Sequence, residues 1–156
     1  MNDAITNLTT EQHRNTAAAL FNYTWELIES PDKKQDTIDE MINVAHASCF
    51  HWLKAGNPAN QARGHWLISR VYSIVNRIES ATYHGERCLD ICLKHHLGAF
   101  DLGFAYESIV RVANTEGSLA ESNRYITLGI DIAHDIEIES DRDYLIAELE
   151  KIKAGR

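Results

Sequence analysis

The sequence predicts an all-α fold of about seven antiparallel helices, arranged as three helical hairpins and a C-terminal capping helix. Three observations carry this. Apolar residues recur with a 3.6-like period nearly everywhere, and no convincing alternating strand occurs. The 156 residues include 8 glycines and 2 prolines, Pro31 and Pro58, too few breakers for a loop-rich chain. One constant shift in sequence number, the one that carries Arg70 onto Arg111, also lays the third and fourth helices on the fifth and sixth. The length is that of one domain, residues 1–156.

Each helix has its own local signals. Thr9 or Thr10 can cap the first, which runs to about Ser30 with Leu20, Tyr23, Leu27 and Ile28 among its apolar positions. Ser30-Pro31-Asp32 breaks the chain. The second helix spans about Asp36 to Ala55 and carries Ile38, Met41, Ile42, Ala45, Cys49, Trp52 and Leu53. Gly56-Asn57-Pro58 ends it, because glycine accepts a left-handed cap and proline cannot continue a helix. Pro58 then opens the third, to about Asn76. A fourth spans about Glu79 to His96, and Leu97-Gly98-Ala99 turns into a fifth, Phe100 to Glu116. Gly117 ends that one, and Ser118 or Leu119 starts a sixth, to about Ile136. Ser140-Asp141-Arg142-Asp143 reads as a cap with acidic first-turn residues, opening the seventh helix to about Lys153.

Under this shift Ile68-Ser69-Arg70-Val71 falls on Ile109-Val110-Arg111-Val112, and Leu89-Asp90-Ile91-Cys92 falls on Ile130-Asp131-Ile132-Ala133. Ala81 falls on Ser122 and Cys88 on Gly129, small on small, where helices approach closely. The segment Gly64-His65-Trp66-Leu67-Ile68-Ser69-Arg70-Val71-Tyr72, followed by Ala81 and Cys88-Leu89, resembles a tetratricopeptide unit with elongated helices. Tyr72 and Ala81 match its aromatic and small packing positions. Ser69 stands where that motif has Gly or Ala, Asn76 stands at the turn, and Ala113 takes the place of Tyr72 in the second unit. The stretches AHASCFHW, ARGHWLISRVY, CLDICLKHHLGAFDLGFAYE and SDRDYL also resemble a group of small bacterial tetratricopeptide-like proteins. The resemblance implies a right-handed α-solenoid and no particular activity.

Composition narrows the function. A formal net charge of -8 disfavours nucleic acid, whose affinity rests on phosphate neutralisation. No apolar run is long enough to span a membrane. The stretch MNDAITNLTTEQ lacks the basic and apolar halves of an export signal. Three cysteines without a disulfide spacing suit a reducing cytoplasm. The expectation is a cytoplasmic, non-enzymatic interaction module, with self-association as a further option, no cofactor and no metal.

The candidate binding face follows from the hairpin pattern. Arg63, Trp66 and Arg70 share one stripe of the third helix, and the repeat shift gives Phe104, Glu107 and Arg111 on the fifth. Arginine forks bind carboxylates and phosphates, so this face predicts an acidic peptide or partner with an anionic group. The competing reading pairs Arg63 or Arg70 with Glu107 or Asp101 inside the chain, since buried charges are usually paired.

An alternative function is metal-binding or hydrolytic chemistry using His, Cys and Asp residues. His84, Cys88, Cys92 and His95 or His96 recur along one side of the fourth helix with a spacing that can present zinc ligands. Cys88 and Cys92 align with Gly129 and Ala133, which favours close packing instead. His46, Ser48 and His51 beside Trp52 read as hydrogen-bonded packing against the third helix. His134-Asp135 resembles the His-Asp pair of metal phosphohydrolases, with no spacing that selects His95, His96 or Asp141 as partners. No phosphate loop, nucleophile elbow, CxxC or HExxH pattern occurs. Trp25, Trp52 and Trp66 read as core or groove anchors.

Overall fold

A computed structural model of the chain describes residues 7–155. Residues 1–6, read above for an export signal, and residue 156 lie outside it. Seven helices are present: α1 (Thr10–Glu29), α2 (Gln35–Ala55), α3 (Pro58–Ile74), α4 (Ile78–Lys94), α5 (Ala99–Thr115), α6 (Leu119–Ala133) and α7 (Glu139–Ala154). No strand occurs among the described residues.

Local chemistry sets the helix starts. Thr9 caps α1 with a reciprocal box: its Oγ1 accepts from the Gln12 amide at 3.1 Å, and its own amide donates to Gln12 Oε1 at 2.7 Å. Asn57 and Asn60 build the same box at α3, with Pro58 at the first helical position. The seventh helix corrects the expectation. Its cap is Ile138, without a side-chain cap bond, and Ser140 lies inside the helix. The Ile138 carbonyl takes the Asp141 and Arg142 amides at 3.1 and 3.0 Å.

The ends also depart from the expected ones. Gly56 closes α2 with an extended backbone, φ -85° and ψ 157°, not the left-handed cap expected of it. Pro58 explains this, because the chain must already be extended to enter the Asn57 cap of α3. Asn76 and His96 adopt left-handed φ values of 58° and 50°, so α3 and α4 stop before them. α6 stops at Ala133 rather than Ile136, where the Asp135 and Ile136 amides turn to carbonyls three residues back.

The turns repeat as the sequence does. Asn76 closes α3 and Gly117, at φ 76°, closes α5. After Asn76 the Arg77 amide donates to the Tyr72 carbonyl at 2.9 Å, and after Gly117 the Ser118 amide donates to the Ala113 carbonyl at 2.8 Å. The amides of Asn76 and Gly117 bond the carbonyls of Ser73 and Asn114 at 3.3 and 3.2 Å. Both are Schellman turns. Every partner is displaced by the shift that carries Arg70 onto Arg111, so the repeat reaches down to single hydrogen bonds.

Packing follows the hairpins. Each helix packs on its sequence neighbours, and the odd helices also pack on one another: α1 on α3, α3 on α5, α5 on α7. The even helices do not approach each other at the backbone, and α2 reaches α4 through the rings of His46 and His84. The core divides accordingly. Leu27, Met41, Ala45, Cys49, Ile68 and Val71 join α1, α2 and α3. Ala62, Cys88, Ile91, Cys92 and Ala105 join α3, α4 and α5. Phe104, Val110, Ile126, Leu145, Leu149 and Ile152 join α5, α6 and α7. α7 comes close because α5 and α6 present glycine to it: a Cβ on Gly103 would stand 2.5 Å from Leu145 Cδ2, and one on Gly129 2.8 Å from Leu149 Cδ1.

The turn geometry sets a measurable asymmetry between glycines. Alanine at Gly117 must hold a left-handed backbone, which costs about 1 kcal/mol or more. Gly98 has an ordinary φ of -68° and open space around it. Gly98 is the N-cap of α5, where alanine caps less well, and the entropy gained by the unfolded chain offsets this in part, so Gly98→Ala should cost less than Gly117→Ala. Urea denaturation of the two variants checks the expected order.

Candidate functional site

One register position repeats across all four odd helices. Trp25 on α1, Trp66 on α3, Glu107 on α5 and Glu148 on α7 follow one another at the repeat shift. The Trp25 and Trp66 rings are tilted with centroids 5.7 Å apart. The Trp66 indole N–H donates to Glu107 Oε2 at 2.9 Å. Glu107 is 1 % exposed. Its other oxygen accepts from Arg111 Nε and lies 3.8 Å from Arg70 Nη1. Arg111 Nη2 donates to Glu148, which also lies 3.6 Å from Arg70 Nη2 and 3.9 Å from Lys151 Nζ. Two carboxylates from neighbouring helices thus share two arginines, and the Nε of Arg70 is a buried donor without a hydrogen-bond partner.

The electrostatics of this centre are dominated by dehydration. Burial pushes the Glu107 carboxyl up to about 7; Arg70 and the Trp66 N–H pull it down, and Glu148 pushes it further up. Arg70, Arg111 and Lys151 line a polar cleft of about 350 Å³ against the last turns of α3, α5 and α7. Cations there complement the partial negative charge of three helix C-termini.

The other half of the face is apolar. A cleft of about 330 Å³ is lined by Phe21 and Trp25 of α1, Trp66 of α3, Phe100 and Phe104 of α5 and Tyr144 of α7, with Arg63, Asp101 and Asp141 among its polar groups. Phe104 meets Trp66 edge-on at 5.6 Å and lies 4.9 Å from Phe100 and 6.0 Å from Tyr144. Arg63 grips Asp101 with both arms of its fork, Nε at 2.6 Å and Nη2 at 3.1 Å, and lies 5.0 Å from the Phe100 ring centre.

The six residues predicted from the sequence therefore fall into two groups. Arg63, Trp66 and Phe104 belong to the aromatic cleft, while Arg70, Glu107 and Arg111 form the ion network beside it, with Trp66 joining the two. Pairing inside the chain, weighed above as the competing reading, is present at Arg63–Asp101 and Arg70–Glu107. The sequence reading missed Glu148, Phe21, Phe100, Tyr144 and Asp141, and it took Trp25 as a core or groove anchor without placing it on this face. The signal for most of them was the same shift, applied once more in each direction. From Glu107 it reaches Glu148, from Trp66 back to Trp25, from Phe100 to Asp141, and from Ala62 to Phe21 or, in two steps, Tyr144.

Compared with known proteins, the chain matches no family model, no curated protein and no solved structure.

The histidines have a different arrangement from the one expected. His46 Nε2 meets the Tyr72 hydroxyl of α3 at 2.9 Å, as packing against the third helix predicts. Ser48 and His51 turn the other way, to α1: Ser48 Oγ donates to the Ala17 carbonyl at 2.8 Å, and His51 Nδ1 meets His13 Nδ1 at 2.8 Å. Across the next hairpin His65 Nδ1 meets His84 Nδ1 at 2.9 Å, and His46 stands edge-on to His84 at 5.3 Å. In each such pair one ring donates and the other accepts, so a pair cannot carry two charges and keep its bond.

Along α4 the zinc-like stripe is divided. Cys88 and Cys92 are buried at the contacts with α3 and α5, whereas His95 and His96 are exposed at the helix end. A bond to Cys92 and burial keep the Cys88 thiol well above its ordinary pKa, and burial pushes Cys49 up to about 11. Both are thiols at neutral pH, without thiolate reactivity. Among the described residues no group of three or more His, Cys, Asp or Glu could hold a metal ion.

These clusters set two expectations for stability. Arg111→Ala removes the close partner of a buried carboxylate and should lower stability by about 3 kcal/mol. In a Glu107→Gln background only Glu148 loses this partner, and it keeps Arg70 and Lys151, so the same substitution should cost less in a urea-melt cycle. The second concerns acid. Burial lowers His65 and His84 to about 4, with Arg87 and His46 adding to the effect. Tyr72 of α3, Tyr83 of α4 and His46 of α2 face the same cluster. Between pH 6.5 and 4 the unfolded chain takes up protons that the folded one refuses, so stability falls as pH falls through this window. Glu107, protonated when folded below about 7, works in the opposite direction. The histidine and carboxyl contributions oppose each other, so the histidine part is read from the difference that one ring makes between pH 7 and 5. Denaturation midpoints at the two pH values, repeated with His84→Gln, measure it. The variant should lose less.

Proposed function

We propose that the chain is a non-enzymatic protein-interaction module, a tetratricopeptide-like right-handed stack of hairpins that seats a segment of a partner on the face made by its odd helices. The supporting observation is the aromatic cleft of about 330 Å³, which is open to solvent and built by five helices at once. Ligand pockets run from about 300 to 1,000 Å³, so this one suits one or two side chains of a peptide. Its walls are rigid rings, which supply contact area at low entropic cost.

The ion network supports the same reading from beneath. It fixes the spacing of α3, α5 and α7, and the rings that they carry are thereby preorganised. An acidic partner would have to compete with Asp101 for Arg63, or with Glu107 and Glu148 for Arg70 and Arg111. Three buried free thiols fit a bacterial cytoplasm.

The test is a photo-crosslinking amino acid placed in living cells at Phe21, in the cleft, and at Tyr83, 58 % exposed on α4. A discrete adduct at Phe21 that is absent at Tyr83 is expected. Identical adduct patterns at both positions, or none at Phe21, would remove the cleft as a docking face.

A further inference from the structure

The charges around the aromatic cleft identify the kind of segment that it takes. At its outer end the cleft continues into a second one of about 540 Å³, and the two share Arg63, Phe100 and Asp141. The second adds Asp135 and Glu137. Together these walls carry four carboxylates, Asp101, Asp135, Glu137 and Asp141, against one cation, Arg63. Arg63 is committed to Asp101 through two bonds. Asp135, Glu137 and Asp141 have no ion-pair partner among the described residues. Asp141 lies in the first turn of α7.

We infer that the cleft binds a basic peptide segment, with an arginine or lysine side chain seated between the aromatic walls and its charge facing Asp141 and the carboxylates beyond it. The inference rests on the interaction-module reading and adds the chemistry of the partner. Two independent features agree on it. Aromatic faces attract cations through their quadrupole, and the face of Phe100 already holds the guanidinium of Arg63 at 5.0 Å. The unpaired carboxylates then supply a full negative charge within reach of the same side chain. Complementary charge of this kind raises association rate and selects the partner, and salt weakens it.

The experiment uses the full chain, labelled with ¹⁵N, and three capped peptides of equal length: Ala-Arg-Ala-Arg-Ala, Ala-Leu-Ala-Leu-Ala and Ala-Glu-Ala-Glu-Ala. The indole N–H signals of Trp25 and Trp66 report on the cleft, and the backbone amide of Tyr83, exposed on α4, reports on a surface outside it. The arginine peptide should shift Trp25 and Trp66 saturably while the Tyr83 amide stays unmoved, and should bind at least fivefold more tightly than the other two. Raising salt tenfold should weaken it severalfold. Asp141→Asn should do the same, with Asp135→Asn as a second variant should the first not fold. A leucine or glutamate peptide that binds the cleft as well or better overturns the basic-segment inference and leaves the docking face standing. Arginine-peptide binding indifferent to salt and to both variants overturns it also. No shift of Trp25 and Trp66 with any peptide at millimolar concentration removes the inference, and the in-cell adduct at Phe21 then decides separately whether the docking face survives.

Discussion

A carboxylate taken out of water is the constraint around which the rest is arranged. Glu107 sits on α5 between α3 and α7, almost fully buried, and an ion in that position is tolerated only when its neighbours replace the lost hydration. Trp66 supplies an N–H from one side and Arg111 a guanidinium from its own helix, with Arg70 close behind. Each of these groups is then held by something else: Arg111 and Arg70 by Glu148, and Trp66 by Trp25 and Phe104. The carboxylate therefore specifies the mutual position of four helices, more sharply than leucine contacts alone would. Buried ion pairs contribute little net stability against a hydrophobic replacement, and their contribution here is to register.

This arrangement divides one face of the molecule into two environments. Toward the C-terminal ends of α3, α5 and α7 the arginines are exposed in part and complement helix carbonyls. Toward the opposite ends, aromatic rings form the walls and carboxylates the margin. Trp66 belongs to both, one edge bonded to Glu107 and its faces toward Trp25 and the cleft. A ligand that moves the Trp66 ring must strain its bond to the buried carboxylate, which couples the cleft to the centre of the stack.

The helices were legible in the sequence because their signals are local. Capping at Thr9 and Asn57, breaks at Pro31 and Gly117, and the apolar period are all decided within a turn or two. The start of α7 was misread because Ser140 carries a strong intrinsic cap preference, whereas the helix begins one residue earlier on the backbone carbonyl of Ile138, which no side-chain signal announces. The face was legible in part, since a constant repeat shift converts a position on one helix into its neighbour on the next. Arg63, Trp66, Arg70, Phe104, Glu107 and Arg111 were found that way. What the spacing could not convey was charge balance. Asp101 was already weighed as a partner of Arg63, but Glu148 comes from a helix further along the chain than the Arg70 that it holds, and only the fold brings those two together. The histidines escaped for a related reason: His51 could have faced either neighbour of α2, and a side-chain rotation settles that choice in favour of α1.

The matching turns at Asn76 and Gly117 carry a consequence for how such a chain can change its length. Their hydrogen bonds superpose under the same displacement that relates the aromatic and acidic positions of the face. A gain or loss of a few residues within this span would break that correspondence, setting a tryptophan or arginine opposite the wrong partner on the next odd helix. A gain or loss of one whole repeat would preserve it and lengthen or shorten the cleft by one hairpin. Within the span that carries this displacement, the hairpin and not the residue is the unit that keeps each side chain opposite its partner.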